Sequence, residues 1–508
     1  MGERRSRRRA LRWMAGAGLG LAGTALLAAC GGTVGGATNA TGNVTSTATG
    51  PASATASSSS ISSSTATASS PATATASATS STALATAAAT ATASASAPGK
   101  AQVVMEFENF FDPDPNLRDH FKQLAAMWEA QHPGVSWQGV AATSAEMEQK
   151  LITLVAGGSP PDGTSASEEW GKVAAIQGLI QPLDDRIAKE AKPVTDWFAD
   201  LLPARWSNYA VDNKRYGLPI DLGTEAIFYN KDLLAVAGLP EPKSGWTWDD
   251  LWSMASKLTT MKGQQQQYGF NYPTDLHWVY SAYGSLGGSY FDQGLTKATF
   301  DTPASQTALQ TLLDAKVKHH VTPYGAALTA LTKTANGKFP FTLGWYGMEL
   351  FRFGLIGYLH AANVGVQNWD VAPVPKGTQR QQIVGGQGFA IVTGAKHPDE
   401  AWSWSTFMVS DAAQQYLGQN SVWNPGRRAM GHYALPPDGK PSRFMEAFYD
   451  TVTADGFSPW WYVPGWDQWS KVIDDGLSPA WNGQASASDV AAKITPTLDS
   501  MLKSQAKS

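Results

Sequence analysis

The 508-residue chain contains a single cysteine, Cys30. Internal disulfides are therefore excluded, and the folded part of the chain must be stabilised by a hydrophobic core. No charged residue occurs between Arg12 and Lys100, and apolar side chains larger than alanine are nearly absent from residues 31–99. Such a segment cannot bury enough apolar surface to offset the entropy of the chain, so we predict that it is disordered.

The sequence also lacks the short motifs of common catalytic and metal sites. The patterns HExxH, GxSxG, CxxC and the P-loop are all missing. His319 and His320 are adjacent, and neighbouring residues on a helix point to different faces, which makes this pair a poor metal site. Residues 112–116 are similar to a calcium loop, but Leu117 and Gln123 stand where an EF-hand has Gly and Glu. We therefore expect no enzyme and neither a metal nor a cofactor.

An excess of positive charge is missing as well. The chain has 38 Lys and Arg against 42 Asp and Glu. Seven of the basic residues and one acidic residue precede residue 101, so the rest of the chain carries a net charge of about −10. Because nucleic-acid binding needs a basic face, we expect no nucleic-acid partner.

The N-terminus has the composition of an export signal. Six arginines between Arg4 and Arg12 precede the uncharged, apolar residues 13–29. Residues 6–12 are similar to a twin-arginine signal, with general secretion as the alternative. Residues 27–30 are similar to a lipobox, in which Cys30 is lipidated and becomes the new N-terminus. The alternative is a transmembrane anchor, but the apolar stretch is short for a span of about 20 residues.

These features divide the first hundred residues into two functional segments. We predict a signal peptide over residues 1–29, followed by a lipidated cysteine and a disordered Ala/Ser/Thr tether over residues 30–100. As a flexible coil the tether would reach roughly 45 Å. The protein would thus be exported and lipid-anchored on the extracytoplasmic face of the cell membrane.

The remaining chain, residues 101–508, is long enough for two domains and alternates between strand and helix patterns. Apolar runs predict strands at residues 103–107, 135–140, 226–229 and 338–345. Residues 209–217 are typical of a hairpin. Thr247 is predicted to precede a helix whose first turn contains Asp249 and Asp250, where acids favour the positive helix end. The predicted fold class is α/β.

The run from residue 219 to residue 236 resembles the signature of bacterial family 1 extracellular solute-binding proteins. The matching positions include Pro219, Ile220, Asp221, Ala226, Ile227, Phe228, Tyr229 and Asn230. Val236 departs from the signature, which has a polar or charged residue there. Residues 177–184, 369–375, 385–392 and 396–409 also resemble pieces of this family, so the resemblance covers most of the chain after residue 101.

The resemblance implies a two-lobed periplasmic-binding-protein fold of type II, in which hinge crossings join the lobes and a ligand lies between them. Lobe one would comprise residues 101–221 and 388–428, and lobe two residues 228–384 and 429–508. The crossings would lie near residues 221–226, 385–388 and 424–431. It also implies a monomer that delivers its ligand to the membrane permease of an ABC importer.

Aromatic residues indicate what the ligand is. The chain has 53 of them, and 20 are tryptophans. A sugar has polar edges and apolar faces, so its site needs polar side chains beside flat rings. Predicted strand ends and lobe junctions supply the candidates Glu108, Phe110, Trp170, Asp221, Trp345, Tyr346, Gly386, Gln387 and Trp423.

Three further tryptophans are candidates by composition. Trp278 lies on a predicted helix, and Trp460 and Trp461 belong to residues 457–466, of which five are aromatic. The alternative for these residues is packing in a core or under a loop.

The favoured ligand is a carbohydrate, more specifically an oligosaccharide. One alternative is that the same receptor binds a non-sugar solute such as a polyamine. A cleft with several acids would favour this alternative. The other is a secreted polysaccharide-active enzyme or a cell-wall adhesion module.

Overall fold

The computed structural model describes residues 103–109, 115–143, 146–168, 170–276, 279–360, 364–435, 438–457 and 466–505. The predicted signal peptide, Cys30 and the predicted tether lie outside these residues, as do Phe110, Trp278, Trp460 and Trp461. No helix within the described ranges is both long enough and apolar enough to cross a bilayer.

The strands form two main sheets and one short hairpin. In chain order they are β1 (Val103–Asn109), β2 (Val135–Ala141), β3 (Gly163–Ser167), β4 (Ala210–Val211), β5 (Lys214–Arg215), β6 (Leu218–Pro219), β7 (Gly223–Asn230), β8 (Thr260–Lys262), β9 (Gln265–Asn271), β10 (Tyr346–Arg352), β11 (Trp369–Ala372), β12 (Gln382–Gly385), β13 (Gln387–Ile391) and β14 (Gly456–Phe457).

The helices lie between these strands and after them. They are α1 (Pro115–Glu129), α2 (Met147–Ala156), α3 (Gly171–Ile176), α4 (Asp184–Ile187), α5 (Val194–Ala199), α6 (Pro203–Ser207), α7 (Lys231–Val236), α8 (Trp248–Leu258), α9 (Tyr280–Ser285), α10 (Pro303–Val317), α11 (Gly325–Ala335), α12 (Leu355–Leu359), α13 (Pro398–Met408), α14 (Asp411–Gln419), α15 (Thr451–Asp455), α16 (Trp466–Trp481) and α17 (Ala487–Gln505). Short 3-10 segments cover Pro340–Leu343 and Arg428–Ala434, and one π-helical turn covers Glu446–Asp450.

The first sheet has the strand order β2-β1-β3-β13-β6. Strands β1, β2 and β3 are parallel, whereas β13 is antiparallel to β3. Because parallel strands end at the same edge of a sheet, the carboxyl ends of β1, β2 and β3 lie together. At the start of β3 only glycine fits beside the ring of Phe107, because a Cβ on Gly163 would lie 2.5 Å from that ring.

Helices cover both faces of the first sheet. On one face, Trp404 of α13 packs against Phe107 and Phe389, whose ring centroids are 4.6 Å apart. On the other face, Ala390 packs in a cluster with Tyr209 and residues of α2 and α3. Phe389 and Ala390 are neighbours in β13, so this division follows the two-residue alternation of a strand.

The second sheet has the order β14-β12-β7-β10-β9-β8, with β11 also paired to β7. The central strand β7 confirms the strand predicted at residues 226–229. Ala226 and Phe228 pack in one cluster, and Ile227 and Tyr229 pack in another. The run is therefore apolar throughout because both faces of this strand are buried.

The residues after β7 have structural roles in the second sheet. Asn230 caps α7 by accepting a hydrogen bond from the Leu233 amide at 3.1 Å. The Tyr229 hydroxyl donates to Glu241 at 2.8 Å. At the start of α8, the side chain of Thr247 and that of Asp250 each accept the other's backbone N–H, which confirms the predicted helix start as a capping box.

Two local predictions have opposite outcomes. The hairpin at residues 209–217 is confirmed, with Asp212 and Asn213 at positive φ between β4 and β5. The strand at residues 338–345 is wrong. Pro340 begins a 3-10 turn that ends at Gly344, whose φ is +73°, and β10 begins only at Tyr346. Trp345 and Tyr346 are therefore at the amino end of a strand and not at its carboxyl end.

Candidate functional site

Three stretches of chain run between the two sheets and lie side by side. The first joins β6 to β7, and the second is Gly386 between β12 and β13. They are paired across the junction, with Gly388 opposite Pro219 on one side and Gly385 opposite Gly223 on the other. The third stretch runs through Asn424, whose carbonyl accepts the Leu222 amide at 2.9 Å. We call these three stretches the crossings.

Glycines let the first two crossings touch backbone to backbone. Gly386 has a φ of +123°, a conformation that residues with a Cβ rarely adopt. A Cβ on Gly386 would also lie 2.3 Å from the Asp221 carboxylate. A Cβ on Gly223 would lie 3.0 Å from the Gly386 amide nitrogen. The junction therefore depends on glycine at both positions.

Arg205 of α6 holds the first two crossings together. Its side chain is fully buried, and its Nε donates to the carbonyl oxygen of Asp221 at 2.9 Å. Its Nη2 donates to the carbonyl oxygen of Gln387 at 2.8 Å and lies 3.4 Å from the Asp221 carboxylate. The Tyr209 hydroxyl in turn donates to the carbonyl oxygen of Gly386 at 2.9 Å. One guanidinium and one phenol thus donate to carbonyl groups of both crossings.

Two carboxylates complete this network. Asp221 accepts the Gln387 amide, and Glu168, which follows β3, accepts the Gly386 amide at 2.7 Å. Burial raises the pKa of Asp221 to about 7, although Arg205 opposes the rise. Burial also raises the pKa of Glu168, against the positive charges of Arg205 and Arg352.

The carboxyl edge of the first sheet places a further acid beside the crossings. Glu108, the penultimate residue of β1, pairs in register with Thr164 of β3 and accepts its hydroxyl at 3.2 Å. Burial raises the pKa of Glu108 to about 7. Its second oxygen, Oε1, has no hydrogen-bond partner among the described residues. An unfilled acceptor at this edge is suited to a hydroxyl or amino group of a ligand.

The second sheet presents a similar edge. Arg352, the last residue of β10, is opposite Glu225 near the start of β7, so both lie at the crossing end of their strands. Burial raises the pKa of Glu225 well above its usual range, and the charge of Arg352 opposes this rise. Three residues earlier, Glu349 accepts the Asn271 amide at 2.8 Å, and burial raises its pKa to about 8.

Of the predicted site residues, Asp221, Gly386 and Gln387 belong to the network of the crossings, and Glu108 lies at the adjoining edge. Trp170 precedes α3 and packs beneath this edge with a 9 % exposed side chain. The structure therefore brings these residues of the prediction together at the junction of the two sheets.

The remaining described candidates pack elsewhere. Trp423 lies beside the third crossing, but its ring is 5.1 Å from that of Phe121 in the core of the first sheet. Tyr346 begins β10, at the opposite end of that strand from Arg352, and Trp345 directly precedes it. Tyr346 is buried in the core of the second sheet. Both residues were predicted to lie in the site because the strand was wrongly predicted to end, and not to begin, at this point.

Several residues of the junction were missed by reasoning from the sequence: Glu168, Arg205, Tyr209, Glu225, Glu349 and Arg352. Sequence signals for them are weak, because their partners are far away along the chain. The sequence feature that relates to Tyr209 is the presence of glycine at positions 171, 217 and 388. A Cβ at any of these positions would lie within 2.8 Å of the Tyr209 ring. Only the fold brings these three glycines to one side chain.

The chemistry available at the junction is that of binding polar groups. It offers buried carboxyl groups from both sheets, one guanidinium at the edge and backbone amides at glycine-rich turns. Among the described residues, no cluster of three His, Cys, Asp or Glu side chains is placed to hold a metal ion.

Comparison with known proteins gives this geometry a context. A family model described as bacterial extracellular solute-binding protein matches residues 114–415. The arabinooligosaccharide-binding protein of Halalkalibacterium halodurans is 27 % identical over 208 residues, which cover 40 % of this chain and 44 % of that protein.

Solved structures resemble this chain over most of its length. An ABC substrate-binding protein from Listeria monocytogenes in complex with cycloalternan aligns with a TM-score of 0.66 and 22 % identity, covering 79 % of this chain and 99 % of the other. The sugar-binding protein MalE from Xanthomonas citri aligns with a TM-score of 0.68 and 19 % identity, covering 79 % and 98 %. These likenesses confirm the predicted two-lobed α/β fold.

Proposed function

This chain belongs to the bacterial extracellular solute-binding proteins, and on that premise we propose that it is a membrane-tethered receptor for a carbohydrate. An oligosaccharide would bind at the crossings, between the carboxyl edges of the two sheets. The receptor would then deliver it to the permease of an ABC importer. The observation that carries this proposal is that Glu168, which follows β3 and accepts the Gly386 amide, is close enough to Arg352 of the second sheet to feel its charge, while Arg352 is opposite Glu225.

The polar groups at the edges suit the hydroxyl groups of a sugar. Carboxylates accept hydrogen bonds from hydroxyls, and a guanidinium donates to their oxygen atoms. Trp170 supplies an aromatic side chain next to Glu168, and we propose that Phe110, Trp278, Trp460 and Trp461 add stacking faces for the apolar side of the rings. The name of the Halalkalibacterium relative, an arabinooligosaccharide-binding protein, supports a saccharide as the class of ligand.

Binding would favour the state in which the two edges are close. A ligand that contacts both sheets gains more contacts when they approach, so it shifts the population of the protein towards the closed state. In this proposal the crossings are the hinge, lobe one comprises residues 101–221 and 388–428, and lobe two comprises residues 228–384 and 429–508. The glycines at 223, 385 and 386 would absorb the change in backbone angles.

The N-terminal residues would keep the receptor at the membrane. We propose that Cys30 is lipidated after removal of residues 1–29 and that residues 31–99 tether the folded part to the outer face of the membrane. Attachment through more than one acyl chain would be stable, whereas one chain gives only marginal binding. The receptor would act as a monomer and without a nucleic-acid partner.

A polyamine is the second candidate ligand. It is favoured by the number of acids near the crossings, namely Glu108, Glu168, Asp221, Glu225 and Glu349, all of which are buried. Against it, burial raises the pKa of Glu108, Glu225 and Glu349, which favours their neutral forms. The negative charges of Asp221 and Glu168 are already compensated by Arg205. A cationic ligand needs ionised acids, so this environment favours a neutral one.

A thermal-shift screen of the full chain distinguishes the two candidates. The probes are maltotriose, arabinotriose and xylotriose on one side and putrescine and spermidine on the other. A ligand present at 100 times its dissociation constant should add about 2.7 kcal/mol to the free energy of unfolding. A rise in the midpoint with a trisaccharide supports the proposal. A rise only with putrescine or spermidine overturns it in favour of the second candidate.

A further inference from the structure

A groove lies on the second sheet, away from the crossings. Its volume is about 750 Å³, and twelve residues line it, from the ends of α8, α10 and α16, from β9 and from the start of α11. This volume is within the range of about 300–1,000 Å³ that is common for small-molecule sites. Its position and its lining both distinguish it from the junction of the sheets.

The groove is far from the crossings along each element that reaches it. Tyr268 of β9 lies in it and pairs with Tyr346 at the start of β10, whereas Arg352 at the end of β10 is beside the crossings. Six residues of strand separate these two ends, a distance of roughly 20 Å. Asn482, which also lines the groove, follows the last residue of α16. A ligand in this groove cannot touch both edges at the crossings.

The lining is aromatic and polar, and it carries no acid, lysine or arginine among its twelve residues. The rings of His320 and Tyr324 are nearly parallel, with an angle of 13° between their planes. Tyr268 adds a third ring, and burial together with the neighbouring Tyr324 phenol raises the pKa of its hydroxyl. Asn482 and Gln484 add exposed amide side chains.

The start of α11 adds hydrogen-bond donors. Gly325, Ala326 and Ala327 form the first turn of this eleven-residue helix and line the groove. The first turn of a helix has no internal acceptors for its amide groups. The residue before the helix, Tyr324, makes no side-chain cap, and the first turn contains no acid. The residues that carry these amides therefore line the groove without a side-chain cap.

A buried hydroxyl gives independent evidence of a ligand. Thr322 lines the groove, its side chain is 0 % exposed, and its Oγ1 has no hydrogen-bond partner among the described residues. Leaving a buried hydroxyl without a partner is unfavourable. The loop is nevertheless held in place, because the Phe270 amide donates to the Val321 carbonyl at 3.1 Å and the Val321 amide donates to the Ala315 carbonyl at 3.0 Å.

We propose that this groove is a second carbohydrate site, which binds a neutral saccharide unit independently of the crossings. Tyr324, His320 and Tyr268 would present rings to the apolar faces of the sugar. The amides of the first turn of α11 would donate to its oxygen atoms. Thr322 would donate to, or accept from, one of its hydroxyls. The absence of charged side chains from the twelve lining residues favours a neutral sugar over an anion or a polyamine.

Hydrogen–deuterium exchange on the full chain tests this proposal. Amides without an acceptor exchange rapidly, so a bound sugar should slow deuterium uptake in peptides that cover residues 320–328 by roughly threefold or more. The probes are maltotriose, xylotriose, arabinotriose and inorganic phosphate. Protection by a trisaccharide supports the proposal. Absence of protection with all three sugars overturns it, and protection by phosphate alone overturns the choice of a neutral ligand.

Variants separate binding from folding. Tyr324→Ala should abolish the protection of residues 320–328, whereas Tyr358→Ala, which removes an exposed tyrosine on α12, should leave it unchanged. Thr322→Val removes only the hydroxyl and keeps the shape of the side chain, so it should weaken the protection several-fold while the thermal midpoint stays the same or rises. A lower midpoint with unchanged protection would give Thr322 a purely structural role and overturn its part in the site.

The same experiment keeps this proposal apart from the one for the crossings. Protection of peptides that cover residues 164–172 and 221–226 reports on the crossings, and protection of residues 320–328 reports on the groove. Protection at the groove alone would support the second site while contradicting the proposed function. Protection at the crossings alone would do the reverse.

Discussion

Arg205 donates a hydrogen bond at 2.8 Å to the carbonyl oxygen of Gln387, although 182 positions separate the two residues along the chain. The same guanidinium binds the carbonyl oxygen of Asp221 at 2.9 Å. One buried cation thus joins the first two crossings, and its charge is compensated by the carboxylates of Asp221 and Glu168.

Replacing this cation should therefore destabilise the fold strongly. We expect Arg205→Met to lower the free energy of unfolding by about 3–5 kcal/mol, because it leaves buried acids uncompensated and removes one donor from each of two carbonyl groups. Urea unfolding at pH 7 measures the loss. The control is Arg428→Met, since Arg428 forms an exposed pair with Asp450 and should contribute at most about 1 kcal/mol. Equal losses in the two variants would contradict the role assigned to Arg205.

Replacing the glycine of the second crossing should lower the free energy of unfolding, whereas a control substitution at another glycine should raise it. Gly386→Ala should destabilise the protein by about 2–4 kcal/mol, because the φ of +123° is strained for alanine and its Cβ would lie 2.3 Å from Asp221. Gly354 has a φ of −54°, and a Cβ on it would meet nothing within 4 Å. Gly354→Ala should therefore stabilise the protein by about 0.4–1 kcal/mol. If both substitutions had the same small effect, the close approach at Gly386 would be refuted.

Some of this architecture could be predicted from the sequence, and the reason is local. Thr247 and Asp250 are three positions apart, and Tyr229 and Asn230 lie within one apolar strand and its helix cap, so short patterns reveal them. The contact of Arg205 with Gln387 and that of Asn271 with Glu349 depend on how distant strands pair, which no short pattern records. Trp345 shows the effect of a wrong strand boundary. The strand was predicted to lie before residue 346 and lies after it, so this residue was assigned to the wrong edge of the second sheet.

The burial of Glu349 leads to a dependence of stability on pH, although the hydrogen bond from Asn271 opposes the rise in its pKa. Burial raises the pKa of Glu349 to about 8 in the folded state, above its usual value in the unfolded chain. The folded state then holds a proton that the unfolded state has lost, so the contribution of this group to stability is full below about pH 4. It is lost as the pH rises through the folded pKa, with a slope of at most about 1.4 kcal/mol per pH unit.

Glu349→Gln removes this titration and keeps the shape of the side chain. The stability of the variant relative to the wild type should therefore increase by more than about 1 kcal/mol as the pH is raised from about 5 to about 8. Urea unfolding at both pH values measures the difference. The control is Glu106→Gln, which replaces an exposed glutamate of β1. A difference between Glu349→Gln and wild type that does not change with pH would show that Glu349 is already ionised at the lower pH.

Arg352 connects the structure of the junction to the proposed function. It ends β10 with an exposed side chain, and its charge acts on Glu225 of its own sheet and on Glu168 of the other. A ligand between the edges would meet this guanidinium without disturbing a core. The test ligand is the trisaccharide that raises the thermal midpoint. Arg352→Gln should weaken its binding by about tenfold or more, since hydrogen bonds to charged groups contribute about 1.5–3 kcal/mol.

Titration calorimetry with that trisaccharide measures the change in affinity, and the thermal midpoint without sugar reports on the fold. Arg186→Gln is the matched control, because Arg186 pairs with Asp399 at 2.7 Å on the surface of the first sheet's helices. It should leave the affinity unchanged. An Arg352→Gln variant that binds as tightly as the Arg186→Gln variant would place the sugar away from the edge of the second sheet. A lower midpoint without sugar would instead assign Arg352 to the stability of the junction, through Glu168 and Glu225.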